Sequence, residues 1–401
     1  MPVRYELSAE EVEAMEGARV EEGGTTGEIP GFPKELWFKD DEDDTMPGLF
    51  TGARDVDDMR EDDEDEDDNE DVELRASDAI FLCAKTEEDL SCVEMHVYDD
   101  EAGSLYVHHD VTLPAFPLAL EWLRLPYGEA VTNNSFVAVG TFETQIEVWN
   151  LDVLDALEPT LTLGAASNDK KKKKKKDKTQ EHTEAVSALS WNRLTLKTLA
   201  SGSADRTVKL WDLAGSKCAA SFEALGRVQT TVFHPKEAAA LAYGGDDKRV
   251  RLRDCRALNT VTDFPLLDSD VECLAWHPLN PAHLAVSCEN GTVACYDVRQ
   301  ASAPVWDLGK PHGSRSVPAI AFNEFGLFAS ASHDKTVQLF DLRPNKQQRL
   351  AARSMAVGKL FALAFDEGDP FLLAAAGAKA TLALWDTPEN DAVSAFQQET
   401  K

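Results

Sequence analysis

Four ten-residue segments of the 401-residue chain repeat one pattern. Each has a polar turn, an alternating apolar stretch and a final aspartate: SADRTVKLWD (203–212), GDDKRVRLRD (245–254), CENGTVACYD (288–297) and SHDKTVQLFD (332–341). These aspartates and Asp386 follow one another at intervals of 42, 43, 44 and 45 residues. A period of this length indicates one supersecondary unit per repeat, whose core forms only when neighbouring units stack.

The repeated unit is predicted to contain four short β-strands. From residue 78 onward, short apolar or alternating runs are separated by turns, with almost no helical periodicity. Four-stranded units with this period are typical of a WD40 β-propeller. Six units occupy residues 117–163, 182–223, 224–264, 268–308, 312–353 and 358–397. We therefore predict an all-β fold, a seven-bladed WD40 β-propeller over residues 78–397, with strands two to four of blade one at AIFLCAKT (79–86), SCVEMHVYD (91–99) and SLYVHHDVTL (104–113).

The repeat makes two local predictions. The triplets 204–206, 289–291 and 333–335 lie where a tight turn joins two strands, in a geometry that needs a positive φ or support from a side chain. In the strand that follows the first of these turns, Val208 and Leu210 should face one neighbouring sheet, while Lys209 and Trp211 should face the other.

One connection between blades is much longer than the others. The strand IEVWN (146–150) ends 62 residues before Asp212, and GAASNDKKKKKKKDKTQE (164–181) fills the surplus as a predicted loop. Its lysines suit a nuclear import signal or a local electrostatic contact with RNA phosphate, and the alternative is a solvated loop without either role. The candidate residues are Lys170, Lys171, Lys172, Lys173, Lys174, Lys175, Lys176 and Lys178.

Residues 1–77 differ in composition from the rest. They hold 28 acidic and 7 basic side chains, a net charge of −21 out of −32 for the chain, and 13 of the 17 residues at 55–71 are acidic. Like charges at this density repel, so we predict a mostly disordered extension with a short helix over residues 5–20. The islands ELWF (35–38) and PGLF (47–50) are predicted docking peptides. The extension could screen basic ribosomal proteins or histones, pair with the lysine insert, or only keep the chain soluble.

The compartment is predicted from the cysteines and the hydropathy. The seven cysteines form no CxxC pair and no regular spacing, which predicts reduced thiols in place of a disulfide framework or a zinc site. The N-terminus has no apolar signal-peptide core, and no apolar run approaches the roughly 18 residues of a membrane span. We expect a soluble, intracellular protein without a membrane partner.

No catalytic, metal or cofactor site is predicted. The chain has no G-x-S-x-G, and Arg353 stands where a phosphate-binding loop ending at Gly358-Lys359 would have a glycine. His108-His109-Asp110 has the composition of a metal cluster, but adjacent residues of a strand are expected to point to opposite faces. The acidic extension offers no fixed geometry for acid–base catalysis. The chain is therefore not expected to be an enzyme.

Several segments go beyond a generic propeller. They are VEMHVYDDEAGSLYVHHDVTLPAFPLALEWL (93–123), IEVWNLDVLDALEPTLTLG (146–164) with the lysine run after it, and EHTEAVSALSWN (181–192). In this order they closely resemble the periodic tryptophan protein 1 family, and the resemblance extends from residue 78 to the C-terminus. Members of that family usually begin with a short apolar segment that would supply the innermost strand of blade one. Because Met1 lies almost where that segment would end, we expect blade one to be incomplete or irregular unless PVRYEL (2–7) is recruited.

The resemblance to WD repeats also implies a structural role for a set of polar residues. In blade three it implies a hydrogen-bonded tetrad of His182, Ser201, Asp205 and Trp211. Blade six matches except that a phenylalanine, which cannot donate an indole hydrogen bond, replaces the tryptophan: His312, Ser330, Asp334 and Phe340. Blade seven has no aspartate in the corresponding turn.

The family resemblance implies a non-catalytic nucleolar scaffold in assembly of the large ribosomal subunit, including pre-rRNA processing. Its partners would be proteins of pre-60S particles, and pre-rRNA through the lysine insert, with the chain as a monomer within a larger complex. One alternative is a histone-binding, chromatin-associated WD40 protein, which the acidic extension favours. Another is a substrate receptor of a cullin ubiquitin ligase, suggested by three arginines in an adaptor-docking pattern after third strands: Arg256, Arg299 and Arg343.

Overall fold

The computed structural model describes residues 74–400 apart from residues 76, 101, 127–132, 155, 165–180, 258–260 and 345. This part of the chain contains 26 β-strands in seven antiparallel sheets, five with four strands and two with three. The sheets follow one another around a ring, which is the predicted seven-bladed β-propeller. The predictions for residues 1–73 and for the lysine run lie outside the described residues.

Strands that follow one another in the chain are neighbours in each sheet. Blade one contains β1 (Ala79–Glu87), β2 (Leu90–Asp99) and β3 (Ser104–Leu113), and blade two contains β4 (Pro117–Pro126), β5 (Asn133–Thr141), β6 (Ile146–Asn150) and β7 (Leu161–Leu163). Blade three contains β8 (Val186–Trp191), β9 (Thr198–Ser203), β10 (Thr207–Asp212) and β11 (Lys217–Glu223). Blade four contains β12 (Val228–Phe233), β13 (Ala240–Gly245), β14 (Val250–Asp254) and β15 (Val261–Asp263).

The remaining three blades continue this order. Blade five contains β16 (Val271–Trp276), β17 (His283–Cys288), β18 (Val293–Asp297) and β19 (Pro304–Gly309). Blade six contains β20 (Ala319–Phe322), β21 (Leu327–Ala331), β22 (Thr336–Asp341) and β23 (Gln348–Ser354), and blade seven contains β24 (Leu360–Phe365), β25 (Leu372–Gly377) and β26 (Leu382–Asp386). In blades two to seven the first strand contacts the first strand of a neighbouring blade, so it lies innermost.

Seven apolar clusters lie in the described part of the chain, one at each junction between neighbouring sheets. Strand β10 serves two of them, because Val208 and Leu210 pack toward blade four and Trp211 packs toward blade two. This is the alternation expected from the sequence. Lys209 is also buried, and its ammonium donates a hydrogen bond to Ser221 Oγ at 3.1 Å. Each blade therefore buries its faces only against its neighbours.

Tight turns join the second and third strands of the blades. Asp205 Oδ1 accepts the backbone N–H of Thr207 at 2.8 Å, and Asp334 Oδ1 accepts that of Thr336 at 2.8 Å. One residue of the turn has a positive φ, as the sequence predicted, at Arg206 (64°), Lys248 (60°), Gly291 (89°) and Lys335 (76°). The aspartate thus supports a left-handed conformation that most side chains disfavour.

Blade one is incomplete within the described residues, in agreement with the prediction. Its inner edge is β1, which sends Ala79 and Phe81 toward blade seven and partly buried Ile80 and Leu82 toward blade two. Second strands of complete blades, such as β9, divide their side chains in the same way. Strands β1, β2 and β3 therefore correspond to the second, third and fourth strands of a blade.

Blade seven corrects the expectation of a four-stranded unit over residues 358–397. After β26 the chain forms a 3-10 helix (Thr387–Glu389) and an α-helix, α1 (Asp391–Thr400), where the sequence reading expected only strands. Asn390 caps α1 through its Oδ1, which accepts the N–H of Ala392 at 3.0 Å. Val393 and Phe396 enter the cluster between blades six and seven. The helix thus covers the outer part of that junction.

Glycines near the ends of three second strands allow close packing between blades. A Cβ at Gly202 would lie 2.4 Å from Cγ1 and 3.0 Å from Cβ of Val228, which begins the inner strand of the next blade. Gly140 and Gly244 face Val186 and Val271 in the same way. The distance between these blades therefore requires a residue without a side chain at this position.

We expect Gly202→Ala to destabilise the ring by roughly 1–3 kcal/mol, because the added methyl group overpacks the junction. Chemical denaturation of the full chain measures the effect. Gly368→Ala is the matched control, since its Cβ would meet only the side chain of Asp366 at 3.1 Å. In the double variant Gly202→Ala/Val228→Ala much of the loss should be recovered. Equal losses in the single and double variants would contradict this packing argument.

Candidate functional site

The polar tetrad of blade three forms a continuous hydrogen-bonded network. His182 lies before β8, Ser201 on β9, Asp205 in the turn and Trp211 on β10. The distances are 2.9 Å from His182 Nδ1 to Asp205 Oδ2, 2.7 Å from His182 Nε2 to Ser201 Oγ and 2.8 Å from Trp211 Nε1 to Ser201 Oγ. All four side chains are buried or nearly so. The network ties strands β9 and β10, the turn between them and the loop before β8 together at one face of the blade.

The protonation states of the tetrad follow from burial and from the hydrogen bonds between its members. Desolvation lowers the pKa of His182, although the hydrogen bond with Asp205 opposes it. Burial would raise the pKa of Asp205, but hydrogen bonds from His182 and Thr207 outweigh it and hold that pKa far below its ordinary value. A neutral imidazole then donates from Nδ1 to the carboxylate and accepts the Ser201 hydroxyl proton at Nε2, which leaves Ser201 Oγ to accept from Trp211. The arrangement is saturated and stabilises the blade.

Blade six has a shorter version of the same hydrogen-bonded network. His312 Nδ1 lies 2.8 Å from Asp334 Oδ2, and His312 Nε2 lies 2.8 Å from Ser330 Oγ. Phe340 stands at the tryptophan position and packs in the apolar cluster between blades five and six. Ser330 Oγ therefore lacks the indole donor that Ser201 has.

This difference predicts unequal costs for the same substitution. We expect Ser201→Ala to lower the free energy of unfolding by roughly 2–3 kcal/mol, because the indole N–H and the imidazole nitrogen both lose a buried partner. Ser330→Ala should cost about 1 kcal/mol, since only the imidazole is affected. Both variants are measured by urea denaturation of the full chain. Equal costs would show that the indole hydrogen bond does not stabilise blade three.

The two adjacent histidines of β3 correct one sequence argument. Nδ1 of His108 lies 2.8 Å from Nδ1 of His109, because the register of β2 and β3 shifts between Met95 and His96 and leaves His108 as an extra residue. The expectation that the imidazoles point to opposite faces was therefore wrong. Their mutual hydrogen bond occupies both Nδ1 atoms. Within the described residues no group of three or more His, Cys, Asp or Glu side chains could hold a metal ion.

The three arginines of the adaptor-docking pattern all pair with a nearby aspartate. Each guanidinium contacts the carboxylate two residues earlier through Nε and Nη2, at distances of 2.5–3.1 Å: Arg256 with Asp254, Arg299 with Asp297 and Arg343 with Asp341. The side chains of Arg256 and Arg299 are 80% and 71% exposed. Arg343 is 28% exposed, lies over the ring of Phe396 and contacts Glu399 of α1 at 2.8 Å. The three arginines therefore do not present equivalent surfaces.

Several exposed apolar side chains lie on one face of the ring. The loops that enter each blade and the turns between second and third strands lie on the same face. Large apolar residues in these segments are 47–76% exposed: Leu90, Phe116, Phe142, Leu225 and Leu266. The rings of Phe116 and Phe142 lie 5.5 Å apart. We call these five residues the apolar face; exposed aromatic and aliphatic side chains on a rigid scaffold are suited to docking proteins.

Sequence reading did not identify the apolar face. Its members lie in turns of different blades, and their exposure depends on how each loop folds. The lysine insert, which the sequence did single out, lies outside the described residues. In the described part of the chain, no helix has the length and apolar character needed to cross a membrane.

One partly buried carboxyl group has a pKa far above its ordinary value. Glu121 on β4 accepts the backbone N–H of Trp191 at 3.0 Å, across the junction of blades two and three. Desolvation raises its pKa to about 7, against the opposing effects of that hydrogen bond and of Arg193. A raised pKa means that folding favours the protonated acid, so this stabilisation is full below the ordinary pKa of a glutamate and is lost as pH rises through about 7.

Glu121→Gln keeps an acceptor for the Trp191 N–H but cannot ionise. We expect its stability advantage over the parent to grow by about 2 kcal/mol as the pH rises from about 5 to about 8. Denaturation curves of both proteins across that pH range provide the measurement. Glu158→Gln, on an exposed loop of the same blade, serves as the control. A difference that does not change with pH would refute the assigned titration.

These features define the class of the protein, a WD-repeat β-propeller. The family model "WD domain, G-beta repeat" matches residues 173–212 and 304–341. The chain is 32% identical to the periodic tryptophan protein 1 homolog of Drosophila melanogaster over 341 residues, 84% of this chain and 72% of the relative. It is 30% identical to periodic tryptophan protein 1 of Saccharomyces cerevisiae over 409 residues, 89% of this chain and 69% of the relative. The chain therefore belongs to the periodic tryptophan protein 1 family.

A more distant similarity concerns a protein whose name states a process. The ribosome biogenesis protein WDR12 homolog of Drosophila yakuba is 28% identical to this chain over 220 residues, which make up 51% of this chain and 48% of that protein. This match covers about half of each chain. It shows similarity between two WD-repeat proteins and by itself assigns no partner.

Proposed function

We propose that the protein is a non-catalytic nucleolar scaffold in large-subunit ribosome biogenesis, which docks proteins of pre-60S particles on its propeller during pre-rRNA processing. The observation that carries the proposal is membership of the periodic tryptophan protein 1 family together with a ring that exposes five large apolar side chains on one face. Similarity to a relative named as a ribosome biogenesis protein supports the same process. A rigid ring with several separate contact surfaces suits simultaneous binding of several proteins.

The lysine insert is proposed to contact pre-rRNA or to direct nuclear import. Lys170 to Lys176 and Lys178 place eight positive charges within nine residues of the sequence, whereas residues 182–401 hold 25 acidic and 23 basic side chains. Phosphate binding by charge density alone is local and depends strongly on salt. Any RNA contact of the ring should therefore concentrate at the insert.

The acidic extension supports the second candidate, a histone-binding or chromatin-associated role. A flexible polyanion can cover lysine- and arginine-rich proteins before they reach nucleic acid. The cullin-adaptor alternative has less support, because Arg343 contacts Glu399 and Phe396 of α1 while Arg256 and Arg299 project outward. The partners that accompany the protein from cells distinguish these three functions.

Purification of the tagged full chain from cells tests the proposal. We expect pre-rRNA and large-subunit proteins to co-purify; histones alone would support the chromatin role, and a cullin adaptor alone would support the ligase role. Changing Lys170 to Lys176 to glutamine should reduce co-purified pre-rRNA at least several-fold, because each lost phosphate contact weakens binding. The same lysines changed to arginine form the matched control and should retain the RNA.

A second control separates RNA contact from import. The glutamine variant is expressed with an unrelated import signal, so that it reaches the nucleus whatever the role of the lysines. If this variant co-purifies with as much pre-rRNA as the parent does, the insert does not contact the RNA. Binding of purified chain to RNA at several salt concentrations should then show whether the salt dependence falls with the lost lysines.

A further inference from the structure

Acidic side chains are concentrated in one sector of the ring. Residues 78–164, the segment that contains blades one and two, hold 16 acidic side chains and only two basic ones, Lys85 and Arg124. Residues 182–401, which form the other five blades, contain 25 acidic and 23 basic side chains. Blades one and two therefore carry a net negative charge, which attracts cationic partners to this sector and repels polyanions.

A cleft of about 550 Å³ opens on the rim within this sector. Its walls come from the end of β3, from β6 and from the loop that follows β6, and include Asp110, Leu113, Glu147, Ala156 and Leu157. Strand β7 pairs with Ile146, Glu147 and Val148 of β6 and leaves Trp149, which lines the cleft, without a partner in β7. The cleft therefore lies between the end of β3 and the outer edge of blade two.

The loop that supplies Leu157 to the cleft exposes two further apolar side chains. Leu157 is 92% exposed, and Leu154 and Val153 on the same loop are 50% and 47% exposed. Three exposed aliphatic side chains within five residues leave apolar surface that a bound chain would remove from water. This patch lies on the outer rim, separate from the apolar face.

The carboxylates of the cleft set the charge of its ligand. Asp110 and Glu147 line the cleft, and Glu158 is exposed on the loop that adjoins it. Glu147 accepts a hydrogen bond from Trp149 Nε1 at 3.2 Å. None of these three carboxylates forms an ion pair within the described part of the chain. Burial raises the pKa of Glu147, a cost that a cation placed in the cleft would offset. Phosphate would be repelled here, which excludes nucleic acid as the occupant.

We propose that this cleft binds an extended lysine- and arginine-rich segment of a partner protein, with an apolar residue of that segment against Leu157 and cations beside Asp110 and Glu147. The inference deepens the proposed docking function and rests on it only for the identity of the partner. Charge complementarity specifies the ligand, while the apolar rim fixes its position. Basic tails of this composition are common in proteins that bind RNA or DNA.

The test uses the full chain and a short lysine- and arginine-rich peptide with a photoreactive residue beside a central leucine. Cross-links are mapped by mass spectrometry, and affinity is measured by fluorescence anisotropy. We expect cross-links within residues 104–114 and 147–159. Asp110→Lys should weaken binding at this site about tenfold, because it replaces attraction by repulsion. Leu157→Ser should reduce the cross-link yield without affecting the fold, since the side chain is exposed.

Matched variants elsewhere on the ring control for general charge and hydrophobicity. Glu237→Lys makes the same charge change beside the cleft between blades three and four, and Leu279→Ser removes an exposed leucine from the loop between β16 and β17. Neither should alter the cross-links. Equal losses in these controls, or cross-links confined to residues 1–77, would overturn the proposal.

Two further outcomes are informative. If the peptide cross-links to the cleft only after Lys170 to Lys176 are changed to glutamine, the occupant is the chain's own insert and an external partner is rejected. If the cleft does not bind the peptide but pre-rRNA still co-purifies with the full chain, this inference fails while the proposed function stands.

Discussion

The structure depends on side chains that leave both faces of every sheet. In β10, Val208 and Leu210 are buried against the next blade and Trp211 against the preceding one, so each sheet is half of two cores. No blade can bury its faces alone, so the favourable free energy of burying apolar surface is gained only when neighbouring blades stack. Close approach matters for the same reason: Gly202 leaves room for Val228, which brings two sheets into contact. The polar side chains of the tetrad in blade three are buried together and satisfy one another's hydrogen bonds.

Apolar packing between neighbouring sheets is least extensive where the ring closes, between blades one and seven. The described strands of blades one and seven meet through a small cluster, with Phe81 as its largest buried member. At one mouth of the ring, Glu367 of blade seven contacts Arg124 of blade two and Arg193 of blade three, each at 2.9 Å. These exposed ion pairs add little free energy. Closure therefore rests mainly on side-chain packing, and α1 strengthens the adjacent junction by covering its outer side with Val393 and Phe396.

Periodicity in the sequence was enough to predict the fold, because one alternating strand recurs with its turn and final aspartate. It could not predict exceptions to the period. The helix after Asp386 left a short signal, Asn390 as a cap followed by Val393 and Phe396 three residues apart, which the strand pattern obscured. The approach of His108 and His109 depends on a shift in register that only the partner strand reveals. The rim cleft depends on how the loop after β6 folds beside the end of β3, a tertiary contact that the strand pattern does not record.

Fold and function place different demands on the same blades. Residues that pack between sheets are fixed by their neighbours, so variation that does not disturb the ring is confined to turns, loops and outer edges. The acidic excess of blades one and two follows this division, since Asp110 and Glu158 are exposed and do not pair with described residues. A structural explanation would require these charges to stabilise the sheets, but like charges in one sector repel and destabilise the compact state. Their concentration beside an apolar cleft is instead the arrangement expected of a surface that meets a cationic chain.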